Sequence, residues 1–189
     1  VIIGFGHKAR QGKNTAALAL LEASPIDSGG RLCAFAGALR AEVRKAIILY
    51  GSASTLIKEW KRAGVMPEWI TPEVGKQRSL YQWWGTDFRR AQDANYWIKK
   101  FDAAVKNSGI EMPLVTDVRF PNEAEYVRSN GGILVKVTNT SKPDFDVHEH
   151  PSEQALDGYA GWHYELRAAS VAELQAKARA LYEKIRRAA

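Results

Sequence analysis

Gly12-Lys13 stands between a short apolar run, Val1 to Phe5, and an alanine-rich segment that opens with Thr15-Ala16-Ala17. Residue types in this order suit the binding of phosphate. A glycine lets the backbone approach anionic oxygens where a Cβ would collide, and the free N–H groups of a helix N-terminus point at the anion. Lysine adds a compact positive charge, and Thr15 or Asn14 would orient a magnesium ion. The spacing departs from G-x-x-x-x-G-K-[ST], because His7 stands where the first glycine is expected and Asn14 follows Lys13. Gly6 or Gly4 is then expected to take the tight turn. An ordinary strand, loop and helix with a solvated lysine is the plain alternative; the strand, Gly-Lys and helix in sequence favour a phosphate loop, or P-loop.

Phosphoryl transfer is mostly positioning and neutralisation of charge, so it also needs a carboxylate near the metal and several arginines. Asp117 closes the apolar run Pro113-Leu114-Val115-Thr116, at the strand end where open α/β sheets place ligands. Arg40, Arg78, Arg89, Arg90 and Arg119 are candidate clamps. Each has a bland reading: Arg40 as a solvated helix charge, Asp117 as a strand-end cap. Arg89 and Arg90 are adjacent, so in a helix they point in different directions and one of them faces a site. Trp83 and Trp84 read as core rather than base-stacking platforms, with one able to line a pocket. His148-Glu149-His150 invites zinc, but no cysteine pair completes a ligand set and His7 and His163 belong to other elements.

These residues need a sheet and its helices to position them. Val1 to Phe5 reads as a strand buried on both faces, and Thr15 to about Ala23 as the helix after the loop. A second strand is expected at Leu32 to Phe35 and a helix at Ala38 to Tyr50. Residues 51–75 are cut by Gly51, Gly64, Pro67, Pro72 and Gly75 and read as an irregular peripheral lobe or cover. Asp93 is placed to cap a helix reaching about Lys106, with Trp97, Phe101, Ala104 and Val105 on one face. Strands follow at Pro113 to Asp117, Ile133 to Val137 and His163 to Leu166, with a helix between the first two that stops at Asn130-Gly131-Gly132. Ser170-Val171-Ala172-Glu173 is a capping box for a terminal helix reaching about Arg187. Alternating strands and helices imply right-handed crossovers and a parallel sheet.

With 189 residues, one sizeable core is expected. The reading is a single α/β domain over 1–189, with a helical substrate-binding insertion at about 51–108 and a lid-type loop at about 138–151. The single Cys33 cannot form an internal disulfide and is expected in a buried strand in a reducing cytosol. No apolar stretch is long enough to span a membrane, and the N-terminal run is too short for a signal peptide, so a cytoplasmic protein is expected. Val1 is a poor initiator residue, and the true chain start is left open. A net charge of +6 suits acidic partners, nucleotides and nucleic acids alike, while Lys184-Ile185-Arg186-Arg187 also answers a helix dipole.

Taken together, the chain resembles the bacteriophage-type deoxynucleoside monophosphate kinases of the P-loop nucleoside monophosphate kinase superfamily. The resemblance is carried by five blocks: His7 to Thr15, Phe35 to Arg40, Gln82 to Arg90 with its Trp-Gly-Thr, Thr-Asp-Val-Arg-Phe-Pro-Asn-Glu at Thr116 to Glu123, and His150-Pro151-Ser152-Glu153. It implies a three-layer P-loop NTPase fold and transfer of the γ-phosphoryl group of ATP, with Mg2+, to a deoxynucleoside monophosphate. On that analogy Arg10, Gly12, Lys13, Asn14 and Thr15 hold the ATP phosphates, and Asn14, Thr15 and Asp117 attend the metal. Lys13, Arg89, Asp117 and Arg119 would form the catalytic set. Arg40, Arg78, Gln82, Trp84, Arg89, Arg90, Arg119, Ser152 and Glu153 would serve the acceptor, with Ser152 and Glu153 approaching its nucleoside. The family usually has aspartate at Asn14, and after the strand at Ile133 it tends to carry an arginine, for which Lys142 or Arg128 would substitute. The host cytoplasm is implied if the chain is phage-encoded. A homodimer, the accepted bases and the choice between ribose and deoxyribose are left open. The rivals are another small-molecule P-loop kinase, such as one acting on dephospho-coenzyme A, and a non-catalytic P-loop protein that binds nucleic acid.

Overall fold

A computed structural model of the chain describes residues 1–25, 28–75, 77–141 and 151–188. The described residues fall into two compact units, one formed by Val1–Ala34 with Asp102–Ala189 and the other by Phe35–Phe101. The sequence reading places its insertion at about 51–108, whereas the second unit runs from Phe35 to Phe101.

The first unit is built on a parallel five-stranded sheet in the order β2-β3-β1-β4-β5, from β1 (Ile3–Gly6), β2 (Gly30–Cys33), β3 (Met112–Val118), β4 (Ile133–Asn139) and β5 (Tyr164–Ala168). Parallel strands need crossovers, and helices supply them. On one face Ile3, Phe5, Leu114 and Val135 pack against Ala16, Ala17 and Leu20 of α1 (Lys13–Ala23) and Leu174, Ala178 and Leu181 of α8 (Val171–Ala188). The other face turns to α6 (Pro121–Ser129): a Cβ on Gly4 would meet Val118, Leu134 and Val127 at 3.0–3.2 Å. β1 lies in the middle of the sheet and is buried throughout, as its apolar run requires. Gly132, entering β4, has no room for a side chain: a Cβ would lie 2.6 Å from the Val127 carbonyl and 2.7 Å from that of Ile2.

β2 is an edge strand that starts and stops two residues earlier than expected, and Cys33 is half-buried rather than sealed in the core. β4 continues through Asn139, so the first two residues assigned to the lid-type loop belong to the sheet. Residues 142–150, including Lys142, His148 and His150, lie outside the described residues. α7 (Pro151–Gln154) follows them, and no described helix is long and apolar enough to cross a membrane.

The second unit is helical. α2 (Ala36–Leu49) leads to α3 (Ala53–Arg62), which the sequence reading took for irregular chain. The signals for α3 are local: Ser52 caps it by accepting the Thr55 N–H at 3.0 Å, and Leu56 and Ile57 are buried on one side. Glycines and prolines after residue 63 had spread their breaker weight over a segment they only terminate. α4 (Arg78–Gln82) then runs into a π-helical stretch, Trp83–Arg90, and α5 (Tyr96–Ser108) carries the chain out of the unit. Trp83, Trp84, Trp97, Leu80 and Val43 make the core of this unit, with the indole N–H of Trp97 donating to the Gly85 carbonyl at 2.8 Å. Asp93 accepts the Asn95 N–H ahead of α5, whose buried residues are Trp97, Ile98 and Phe101; Ala104 is exposed.

Candidate functional site: the loop after the first strand and the arginines

β1 delivers the chain to a loop that ends where α1 starts at Lys13. The turn is not taken by Gly6 or Gly4, which stay in the strand. Left-handed backbone falls instead on His7 (φ 90°), Arg10 (φ 61°) and Gly12 (φ 97°). Gly12 adopts it freely, whereas His7 and Arg10 hold a conformation that costs an L-residue about 1–2 kcal/mol. The missing side chain of Gly6 serves packing: a Cβ there would come within 2.4 Å of the Trp162 ring.

Lys13 is only 7% exposed and turns back into the loop, where Nζ donates to the carbonyls of His7 (2.9 Å) and Lys8 (2.5 Å). Burial, and then the charge of Arg119, pull its pKa from 10.5 down to about 8, against the opposing pull of Glu153 and Asp117. Asn14 is exposed at the head of α1, Thr15 is half-buried, and Arg10 is exposed. Gln11, which the sequence did not single out, is buried and accepts the Asn139 N–H at 2.5 Å, tying the loop to the end of β4.

Asp117 and Arg119 leave the end of β3, which pairs with β1 next to the loop. Arg119 Nη1 meets Glu153 Oε1 at 2.6 Å, while Glu153 Oε2 accepts the N–H of Ala9 in the loop at 2.9 Å. Glu153 therefore braces an arginine and the loop backbone together. Burial would raise its pKa, but the Arg119 charge, the Ala9 N–H and Lys13 outweigh that and hold it below the ordinary carboxylate range. Ser152 sits beside it on α7. Glu123 is buried and accepts the N–H groups of Arg119 (2.8 Å) and Phe120 (3.1 Å), fixing the backbone from which Arg119 projects. Its position three residues after Phe120, with proline opening the helix, was the readable signal.

The remaining arginines belong to the Phe35–Phe101 unit. Arg40 is exposed on α2; Arg78 opens α4, where its charge and N–H act on Glu73, and Gln82 closes that helix. Trp84, Arg89 and Arg90 lie on the π-helical stretch, and Trp84 is buried. The sequence offered no reason to notice Glu42. Its Oε1 accepts from Trp84 Nε1 (3.0 Å) and from Nε (2.6 Å) and Nη2 (2.5 Å) of Arg89, and its Oε2 accepts from the Tyr96 hydroxyl (2.9 Å). Burial pushes the Glu42 pKa up, yet these hydrogen bonds and the Arg89 charge leave it below its usual value. The Arg89 guanidinium also lies 5.0 Å from the Phe88 ring centre and 5.1 Å from that of Tyr96.

The chain is similar to the deoxynucleoside-5'-monophosphate kinase of Escherichia phage T5, with 27% identity over 113 residues. The matched stretch makes up 57% of this chain and 43% of the phage protein, so it spans less than half of that relative's length. No family model matches the chain. The five-stranded parallel sheet flanked by helices is an α/β fold consistent with a P-loop kinase-like domain.

Proposed function

We propose that the chain transfers the γ-phosphoryl group of ATP to a deoxynucleoside monophosphate, giving the diphosphate and ADP. The observation that carries the reading is Lys13, a lysine sealed into a loop at a helix N-terminus, whose charge is disfavoured there until an anion joins it. A polyphosphate would supply that anion. Gly12 and the N–H groups opening α1 would bind the donor phosphates, with Arg10 at the loop's exposed edge.

Among the described residues no three His, Cys, Asp or Glu side chains group as metal ligands. Mg2+ in phosphoryl transfer takes one or two protein oxygens and completes its shell with phosphate oxygens and water. Thr15, Asn14 and Asp117 are the residues that would hold it. Held there, Mg2+ would supply positive charge against the phosphates during transfer. Arg119, set by Glu123 and Glu153, would steady the transferring group. Arg40, Arg78, Arg89 and Arg90 would serve the acceptor monophosphate, with Gln82 beside them in the sequence. The acceptor oxygen is already anionic, so no strong general base is required.

The test is a coupled ADP-release assay with ATP and Mg2+ against each common deoxynucleoside monophosphate, run beside Lys13→Ala. Turnover that disappears in the variant is expected. Folded protein that binds ATP but phosphorylates none of the acceptors would refute the reading and move dephospho-coenzyme A forward as acceptor.

A further inference from the structure

Arg89 is built to be rigid before any ligand arrives. Its Nε and Nη2 are both taken by one oxygen of Glu42, and the rings of Phe88 and Tyr96 lie against the guanidinium. Glu42 is fixed in turn by the indole N–H of Trp84, a side chain only 2% exposed, and by the Tyr96 hydroxyl. The π-helical stretch makes this possible. In an α-helix each residue turns about 100°, so residues five apart diverge. The wider i→i+5 ring brings Trp84 and Arg89 to one side, where both donate to Glu42.

Fold stability alone does not account for the arrangement, since a partly desolvated ion pair is often replaced by apolar side chains without loss. It leaves Arg89 with one edge uncommitted: Nη1 has no hydrogen-bond partner among the described residues, and the side chain keeps 27% of its surface exposed. An arginine edge held in a fixed plane matches two oxygens of a phosphate, and its rotamer freedom is spent before binding rather than during it.

We propose that Glu42 is a positioning residue that orients Arg89 toward the phosphate of the acceptor nucleotide; the proposal rests on the acceptor role given to Arg89 above. Glu42 itself touches no substrate. It acts by keeping the guanidinium in one plane, with Trp84 and Tyr96 holding the carboxylate that does so.

The test is steady-state kinetics of the full chain with ATP, Mg2+ and whichever deoxynucleoside monophosphate the wild type accepts. Glu42→Gln removes the charge while keeping the shape, and the acceptor KM should rise by about tenfold or more, with the KM for ATP changing by less than about twofold. Arg89→Lys should raise the acceptor KM similarly, and the double variant should be no worse than Arg89→Lys alone, because Glu42 acts through that arginine. Tyr96→Phe removes one donor and leaves the ion pair, so it serves if Glu42→Gln does not fold; a rise of about two- to fivefold is expected there. An acceptor KM unchanged in folded Glu42→Gln, or equal rises in both KM values, would overturn the proposal and leave Glu42 structural. A wild type that turns over no acceptor overturns the proposed function and this inference with it, whereas turnover with an unmoved acceptor KM overturns this inference alone.

Discussion

Replacing Lys13 by methionine should make the unliganded protein more stable at neutral pH and, on the proposed function, abolish the binding of ATP. Methionine keeps the length of the side chain and discards the charge. The fall of the Lys13 pKa from 10.5 to about 8 corresponds to about 3 kcal/mol by which the folded state disfavours the ammonium. Against that stand the hydrogen bonds to the His7 and Lys8 carbonyls, about 1 kcal/mol each where water can take over the carbonyls. The net gain for Lys13→Met is then about 1 kcal/mol, or about 2–4 °C in Tm for a chain of this size. The sign depends on pH. Because the folded pKa lies below the unfolded one, the cost is full below about pH 8 and fades as pH rises toward 10.5. Above that the variant has lost only its hydrogen bonds, so its Tm should fall below that of the wild type. Thermal melts of the two proteins from pH 7 to pH 10.5, compared as a difference, cancel the groups they share. Adding ATP and Mg2+ at about a hundred times Kd should raise the wild-type Tm by about 5–10 °C and leave the variant unmoved. A variant less stable than wild type at pH 7, with no reversal on going alkaline, would refute the claim that Lys13 is a buried charge awaiting an anion.

Binding of ATP near pH 8 should take up protons, because a nearby anion raises the pKa of Lys13 from about 8; calorimetry in buffers of different ionisation enthalpy reads this directly, and no uptake is expected with Lys13→Met. Glu153→Gln should lower stability at neutral pH by about 1–3 kcal/mol, since Arg119 loses its carboxylate and the Ala9 N–H its charged acceptor. Its melting profile should also flatten in acid: the Glu153 contribution is complete above about 4.5 and is lost as pH falls through the lower folded value, so a profile unchanged below pH 5 would count against the brace. Gly132→Ala should be among the most damaging single changes, by about 3 kcal/mol or more, because its Cβ would meet two backbone carbonyls that cannot turn aside; chemical denaturation reads the loss.

Strand β1, the helix after the loop and the terminal helix were legible because their signals are local. Apolar runs, helical periodicity and caps act over a few residues, as when Ser170 Oγ accepts the Glu173 N–H at 3.2 Å. The same locality explains the error over 53–62, where breaker residues that close α3 were read as dissolving it. What the chain's own pattern could not supply is who meets whom. Glu42 gathers donors from 42 to 54 residues away, Gln11 reaches Asn139 across 128, and Glu153 reaches Ala9 across 144. None of these partners is implied by spacing or composition. The left-handed turn at His7 belongs with them: histidine has no preference strong enough to announce it, and the surrounding loop imposes it. The sequence by itself determined the α/β alternation and the Gly12-Lys13 turn that opens a helix, since both rest on neighbours in the chain. Only the tertiary structure decided which carboxylate holds which arginine, because that follows from chain closure over distances at which no local preference acts.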